Sequence, residues 1–480
     1  MAFVGDGLDR FARDNPDGTA LSCGAVRITW SELLFSVDAV AQRLSRLTQP
    51  GGRVVLNLQD PASLVRGFFA CARAGRVAVV TDPGWPAATT GDVLAAITPD
   101  LVVDDTAYAE LEAITGSIDA GQSGPQDPPV YSDLFYAGFT SGSSGTPKGY
   151  VRSHGSWLES FKLSTRAFGM AGSARIVLPG RLTHSLHLYG AVCGLASGQE
   201  VVLMPRFDPR TVLAELGGAK SEAALYATPT QLHFLAEAAR RTGPINAVRQ
   251  VLASGAKWSD ADRRALAAVF PQARLYEFYG ASETSFITIA APDDRVPAGS
   301  VGRAAEGVEI AIADPHRPAP PGHSGLIWVR SKLLFSRYIC GASPTTRWRD
   351  GWLSVGDHGR LDADGFLYLT GRENRMIVTS GLNVYPEEIE AVLADHPAVA
   401  VAVAAGLPDP VRGERLEVVV QLTEPWDAAG TELMRYCRDR LAAGKWPRKI
   451  HFRDSLPLTA GGKPDIQKIL ADLPADGEEA

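Results

Sequence analysis

As far as about residue 300, short runs of Val, Ile, Leu and Ala alternate with longer stretches whose apolar positions recur at helical spacing. Residues 53–57 (RVVLN) predict a strand, residues 61–74 a helix and residues 76–80 (RVAVV) the next strand. That order is a βαβ unit. The same grammar returns at the strand-like runs 200–204, 223–227, 250–253 and 274–278. An α/β fold with a doubly wound, mostly parallel sheet accounts for it, and such sheets take their ligands beyond the carboxyl ends of the strands. From about residue 300 the pattern changes. Runs 309–313, 326–330 and 366–369 are short and separated by Pro/Gly-rich turns, which predicts a small β subdomain over 300–373. An α+β segment follows, with helices at 386–393 and 431–441 and strands at 399–404, 416–422 and 449–452. The expected division is therefore 1–373 and 374–480, with the boundary near Arg372 to Arg375. Residues 121–128 (GQSGPQDP) read as a surface linker, and there are no internal repeats.

Composition narrows this further. With 480 residues the chain is too long for one core. At 45% hydrophobic and 21% charged it has the make-up of a soluble globular enzyme. A net charge of -7, with no basic run, argues against nucleic acid as a partner. Cys23, Cys71, Cys193, Cys340 and Cys437 are far apart and suggest reduced, buried thiols rather than a zinc site or disulfide framework. The start, MAFVGDGLDRFARDN, lacks a basic segment followed by an apolar one, and no apolar run is long enough to span a membrane. A cytoplasmic protein is expected.

The first candidate chemistry follows a strand-like run at 134–137. It is the loop Phe139-Thr-Ser-Gly-Ser-Ser-Gly-Thr-Pro-Lys-Gly149. Gly142 and Gly145 permit an irregular backbone that turns N–H groups toward an anion. Thr140, Ser141, Ser143, Ser144 and Thr146 add hydroxyl donors, and Lys148 adds a point charge for a β- or γ-phosphate. The spacing is not that of a Walker A loop. A flexible Gly/Ser linker shares this composition, but would need neither the Thr-Pro-Lys-Gly stop nor a buried-type strand before it.

The loop resembles the phosphate-binding signature of the adenylate-forming superfamily, which includes acyl-CoA synthetases, peptide-synthetase adenylation domains and luciferases. Further segments can be compared in order. Glu277-Phe278-Tyr279-Gly280-Ala-Ser282-Glu283 reads as a strand ending at a glycine turn. There a Tyr ring can stack on adenine, Ser282 can bond a phosphate oxygen or the acyl-AMP, and Glu283 is a hard oxygen ligand suited to Mg²⁺. The family commonly has Thr where Ser282 stands. Ser254, Gly255 and Ala256 are similar to its adenine-flanking loop. Asp357 in Val-Gly-Asp-His-Gly and Arg372 after Gly371 resemble its ribose-binding pair, a carboxylate accepting from vicinal hydroxyls beside a clamping cation.

The run from Gly371 to Glu390 resembles the opening of the family's C-terminal domain. The resemblance implies a hinge at Asn374, where the family usually has Asp or Lys, and a pantetheine passage at Ser380 and Gly381, where it often has Gly for Ser380. Lys463, in Leu-Thr-Ala-Gly-Gly-Lys, matches the C-terminal lysine that would pair with the substrate carboxylate. The five motifs come in family order.

What the resemblance implies is an ATP- and Mg²⁺-dependent acid–CoA ligase. An acid would be activated to its acyl-adenylate and passed to coenzyme A, with Lys463, Glu283 and Lys148 as the catalytic group and a C-terminal domain that turns about Asn374 between steps. Peptide-synthetase domains usually place an Asp after the loop to pair an amine. Residues 181–190 (RLTHSLHLYG) contain none, which favours an acid without an α-amine. His184 or His187, with Gly280, would border the acid pocket. Two alternatives remain open: an adenylating enzyme that loads a carrier-protein thiol, and a ligase that retains only thioester formation from a supplied acyl-adenylate.

Overall fold

A computed structural model describes residues 2–113, 128–140, 147–170, 174–219, 221–239, 243–255, 260–379, 382–409, 413–458 and 464–473. Compactness divides these into two units. The first comprises residues 1–310, 329–353 and 364–367, the second 311–328, 354–363 and 368–480.

Two sheets build the first unit. In one, the strands run in the order Arg337–Cys340, Lys148–Ser153, Leu134–Thr140, Val77–Val80, Arg53–Asn57 and Leu101–Asp104. The last four are mutually parallel and the first two join antiparallel. All of Val77–Val80 and the centre of Arg53–Asn57 are buried, as a strand covered on both faces must be. The crossover helix Pro61–Arg73 starts where Asp60 accepts from Ala62 N and Ser63 N, with proline in the first turn. It stops at Gly75, whose φ of +68° no continuing helix adopts.

The other sheet runs Arg303–Ala304, Ser285–Ala290, Arg274–Ala281, Val248–Ala253, Ala223–Ala227, Arg175–Leu178, Glu200–Leu203, Thr19–Cys23 and Val26–Thr29. Its interior is parallel and each end closes with an antiparallel hairpin. Val177, Leu225, Val251, Leu266 and Phe270 belong to the core on one of its faces.

The second unit carries Leu382–Val384, Ile377–Thr379, Gly413–Leu422 and Val399–Asp409, with Lys449–Phe452 added parallel to Gly413–Leu422. Helices Pro386–Ala394 and Ala429–Arg440 place Ile389, Leu393, Leu433 and Cys437 in its core beside Val384, Leu416, Val418 and Val420. In the same unit Gly325 and Leu326 pair with Gly359 and His358. Among the described residues no helix is long and apolar enough to cross a membrane. The linker expected at 121–128 lies outside the described residues but for Pro128.

Two histidines of the first unit are sealed in its interior. His154 accepts from Val4 N at 3.1 Å and stacks on Phe135 at 4.4 Å. His187 is 2% exposed. Burial pushes each imidazole down to about 3, against about 6.5 in the unfolded chain. Between those values the unfolded chain binds protons that the fold does not, so stability is lost as pH falls from about 6.5 toward 3. Two such groups steepen the fall by up to about 2.7 kcal/mol per pH unit. Denaturant melts at pH 7 and pH 5 measure this, and His154→Phe is expected to make the fall shallower.

Candidate active site

The expected phosphate loop bridges the hairpin Leu134–Thr140/Lys148–Ser153. Its register sets Thr140 opposite Lys148, Gly138 opposite Tyr150 and Tyr136 opposite Arg152. Alternation along a strand puts these six positions on one face. Ser141, Gly142, Ser143, Ser144, Gly145 and Thr146 lie outside the described residues. Lys148 is half-buried, and among the described residues no carboxylate pairs with it. Behind it Tyr136 and Tyr150 share a hydroxyl–hydroxyl bond of 2.8 Å. A Cβ on Gly138 would come within 2.2 Å and 2.5 Å of those hydroxyls, so glycine is what lets them meet.

The expected second segment is not a strand that stops at a glycine. Arg274–Ala281 runs through Gly280, and Ala281 pairs with Ser285 across a tight turn. The register shifts between Tyr279 and Gly280. A Cβ on Gly280 would lie 1.8 Å from the Ser285 carbonyl oxygen, so Gly280→Ala must displace backbone. It is expected to cost about 1–3 kcal/mol, read as a lowered denaturation midpoint.

The turn puts Glu283 in a defined place. It is 7% exposed. Its Oε1 accepts from Tyr338 Oη at 2.8 Å, and its carbonyl accepts from Phe335 N at 2.7 Å. Tyr338 is the partner of Tyr150 in the adjoining strand pair, and Cys340 the partner of Gly149. The Glu283 carboxylate is thus tethered over the strand that Lys148 begins. Ser282 Oγ lies 3.3 Å from Ser185 Oγ, at the start of the helix Ser185–Ala196.

A lone carboxylate with one anchored oxygen suits Mg²⁺, which keeps water and takes phosphate oxygens as its other ligands. Among the described residues no three His, Cys, Asp or Glu side chains form a closed cage.

The other expected residues of the first unit differ in burial and contacts. Tyr279 is half-buried. Glu277 is 5% exposed and ion-paired with Arg263. The Phe278 ring packs on Phe286 at 4.7 Å and on Phe168 at 5.9 Å, so its side chain serves the core. Ser254 and Gly255 follow the strand Val248–Ala253, with Gly255 at φ +103°, and Ala256 lies outside the described residues. His184 is half-buried at the N-cap of Ser185–Ala196. His187 is pressed against Gly180, where a Cβ would meet its ring at 2.0 Å.

The pair expected to take ribose lies in the second unit. Arg372 Nε is 2.9 Å from Asp357 Oδ1, and Asp357 is 5% exposed. Asn374 is in the 3-10 turn Glu373–Arg375. That turn is pinned on both sides: Glu373 N donates to Gly356 O at 2.8 Å, and Arg375 pairs with Glu387 at 3.0 Å and Glu390 at 2.6 Å. Gly371 admits Tyr385, whose Cδ1 would be 2.5 Å from a Cβ there, and Tyr385 Oη bonds His358 Nδ1 at 3.0 Å. Ser380, Gly381 and Lys463 lie outside the described residues.

Comparison with known proteins decides the family. The model of the AMP-binding enzymes matches residues 8–339, and that of the AMP-binding enzyme C-terminal domain matches residues 388–463. The chain belongs to the AMP-binding enzymes, within the adenylate-forming superfamily. It is similar to an uncharacterised acyl-CoA ligase, YhfT, of Bacillus subtilis, 36% identical with 94% of each chain covered. It is 30% identical to a feruloyl-CoA synthase of an Amycolatopsis species, with 95% of this chain and 96% of the relative covered. Among solved structures, o-succinylbenzoate CoA synthetase from Bacillus subtilis in complex with its acyl-adenylate intermediate gives a TM-score of 0.83 at 25% identity, covering 98% of this chain and 99% of that one. This AMP-binding enzyme is an acid–thiol ligase of the acyl-CoA synthetase class.

Sequence reading missed Arg152 and Tyr338, the two side chains that tie the Ser282–Glu283 turn to the loop strand. A signal for the first was present: Arg152 stands at the same parity as Lys148 and Tyr150, which puts it on their face of the strand. Nothing local marks Tyr338, which lies 55 residues from Glu283 in the chain.

Proposed function

We propose that this enzyme activates a carboxylic acid lacking an α-amino group with ATP and Mg²⁺, and passes the acyl group to the thiol of coenzyme A with release of AMP. The observation that supports it most is the half-buried Lys148, without a carboxylate partner among the described residues, at the mouth of the hairpin over which Tyr338 tethers Glu283. An unneutralised cation beside an oriented carboxylate suits a polyphosphate carrying a divalent ion.

In the first step the acid's carboxylate attacks the α-phosphorus in line, and pyrophosphate leaves. In the second a thiol attacks the acyl-adenylate carbonyl, and AMP leaves. Positioning and charge neutralisation are the protein's main contribution. Lys148 and the loop hydroxyls hold the β- and γ-phosphates. Tyr279 stacks on adenine beside Ser254 and Gly255, Ser282 bonds the phosphate that becomes AMP, and Asp357 with Arg372 takes the ribose. Glu283 would hold the Mg²⁺, which supplies charge neutralisation on the phosphates. Lys463 meets the carboxylate, and His184, at a helix start rather than sealed like His187, borders the acid.

Residues 374–480 act as the turning domain, with Asn374 between the anchors at Glu373 and Arg375 as its pivot. The family resemblance assigns the pantetheine passage to Ser380 and Gly381. The cytoplasm, where ATP and coenzyme A are available, is its compartment.

The test is a panel of acids scored by AMP release with coenzyme A present, alongside acid-dependent ATP–pyrophosphate exchange. AMP release with an amine-free acid is the expected result. Exchange with α-amino acids alone would overturn the substrate class. Thioester formation from synthetic acyl-AMP, with no exchange for any acid, would overturn the two-step reading. A carrier-protein thiol offered in place of coenzyme A separates the two acceptors.

A further inference from the structure

Arg152 is 4% exposed, in the middle of the strand Lys148–Ser153, and forms no ion pair among the described residues. A guanidinium stripped of water with no carboxylate in direct contact is costly, and burial pulls this one down to about 10 although the nearby Glu283 carboxylate acts the other way. Its donors go elsewhere. Nη1 donates to the carbonyl of Ser282 at 3.2 Å, Nη2 to the carbonyl of Leu333, and Nε to Ser156 Oγ at 3.2 Å.

Two of those acceptors have a common feature. Ser282 is the residue before Glu283, and Leu333 is two residues before Phe335, whose N–H holds the Glu283 carbonyl. The side chain therefore joins three separate stretches: the strand of Lys148, the turn of Ser282 and Glu283, and the segment that leads to Tyr338. Opposite it stands Tyr136, bonded to Tyr150, so the polar chain continues along the hairpin face. We infer that Arg152 is a positioning residue for the nucleotide grip. It fixes the Ser282–Glu283 turn relative to Lys148, so that hydroxyl, carboxylate and ammonium meet one Mg·ATP without rearrangement.

A second buried arginine shows what the structural use of the same chemistry looks like. Arg76 is also 4% exposed and donates to Thr48 Oγ1 at 2.9 Å, to the Thr48 carbonyl at 2.6 Å and to the Ala74 carbonyl. It precedes the strand Val77–Val80, at the end away from the ligand side of a parallel sheet, and joins only segments that carry no site residue. It is the matched control.

The inference rests on the proposed reading of Glu283 as part of the Mg·ATP site, and the experiment separates the two. Mg·ATP binding to the full-length enzyme is measured by calorimetry without acid, with the melting temperature and the steady-state constants alongside. For Arg152→Met, affinity is expected to drop about tenfold and KM for ATP to rise in parallel, in the range that loss of charged hydrogen bonds gives. Thioester formation from supplied acyl-AMP should change far less. Arg152→Lys, which keeps the charge but not the fork, should recover only part. Arg76→Met should lower the melting temperature and leave Mg·ATP affinity unchanged.

Equal loss of Mg·ATP affinity in Arg76→Met and Arg152→Met, or wild-type affinity in Arg152→Met, would overturn the positioning role. If Arg152→Met does not fold, Arg152→Lys carries the test: wild-type Mg·ATP affinity there overturns it too. Wild-type affinity in Glu283→Gln would instead remove the underlying reading of the grip.

Discussion

Replacing Lys463 with alanine is expected to slow acyl-adenylate formation about 10²–10³-fold, the scale of losing one preorganised charge at a transition state. Thioester formation from a supplied acyl-adenylate should be nearly unchanged. The split follows from where charge develops. In the first step a carboxylate approaches a phosphate, and two anions must be brought together. In the second, a thiol meets an already activated carbonyl. The segment Thr-Ala-Gly-Gly-Lys463 offers one cation on a glycine-rich stretch, and the residues flanking it are joined, with Leu458 bridged to Pro464 and Asp465 N donating to Pro457 O at 2.8 Å. Pyrophosphate exchange reads the first step, and thioester release from synthetic acyl-AMP reads the second. Equal loss in both would refute the role.

Glu283→Gln should be nearly as severe for adenylation, about 10²-fold in kcat/KM for ATP, with the Mg²⁺ optimum moved to higher concentration. The substitution is isosteric and leaves Tyr338 Oη an acceptor, so the 2.8 Å bond that orients the side chain can persist. What it removes is the anionic charge. A melting temperature near wild type with lost exchange identifies a loss at the site rather than in the fold. Unchanged Mg²⁺ dependence would exclude Glu283 as the ion's ligand.

Strand and helix positions were legible because burial imposes a period. The bounds expected for 53–57, 223–227 and 449–452 are those of the structure: the first two have apolar centres closed by polar or turn residues, and in the third Ile450 and Phe452 alternate with Lys449 and His451. Elements ran longer than read where hydrophobicity faded before hydrogen bonding did. Val399–Asp409 continues past Ala404 because Gly406, Leu407, Pro408 and Asp409 still find partners across from Leu416, Arg415, Glu414 and Gly413. The glycine at 280 was read as a turn for the same local reason. Its real cause, the Ser285 carbonyl packed where a side chain would be, lies across a hairpin.

By itself the sequence determined the chemistry on offer. A hydroxyl- and glycine-rich loop with Lys148, the acid Glu283, the acid Asp357 and the late Lys463 stand in an order that marks the family, because each motif keeps its reactive atoms within a few residues. Only the tertiary structure decided how the first of these are held. Long-range register puts Tyr338 beside Tyr150 and so brings Glu283 over the strand of Lys148. A buried guanidinium at Arg152 takes carbonyls from two distant segments, and His187 is sealed while His184 is not. Such facts depend on which strands become neighbours, and that is set by the packing of whole sheets rather than by any local pattern of residues.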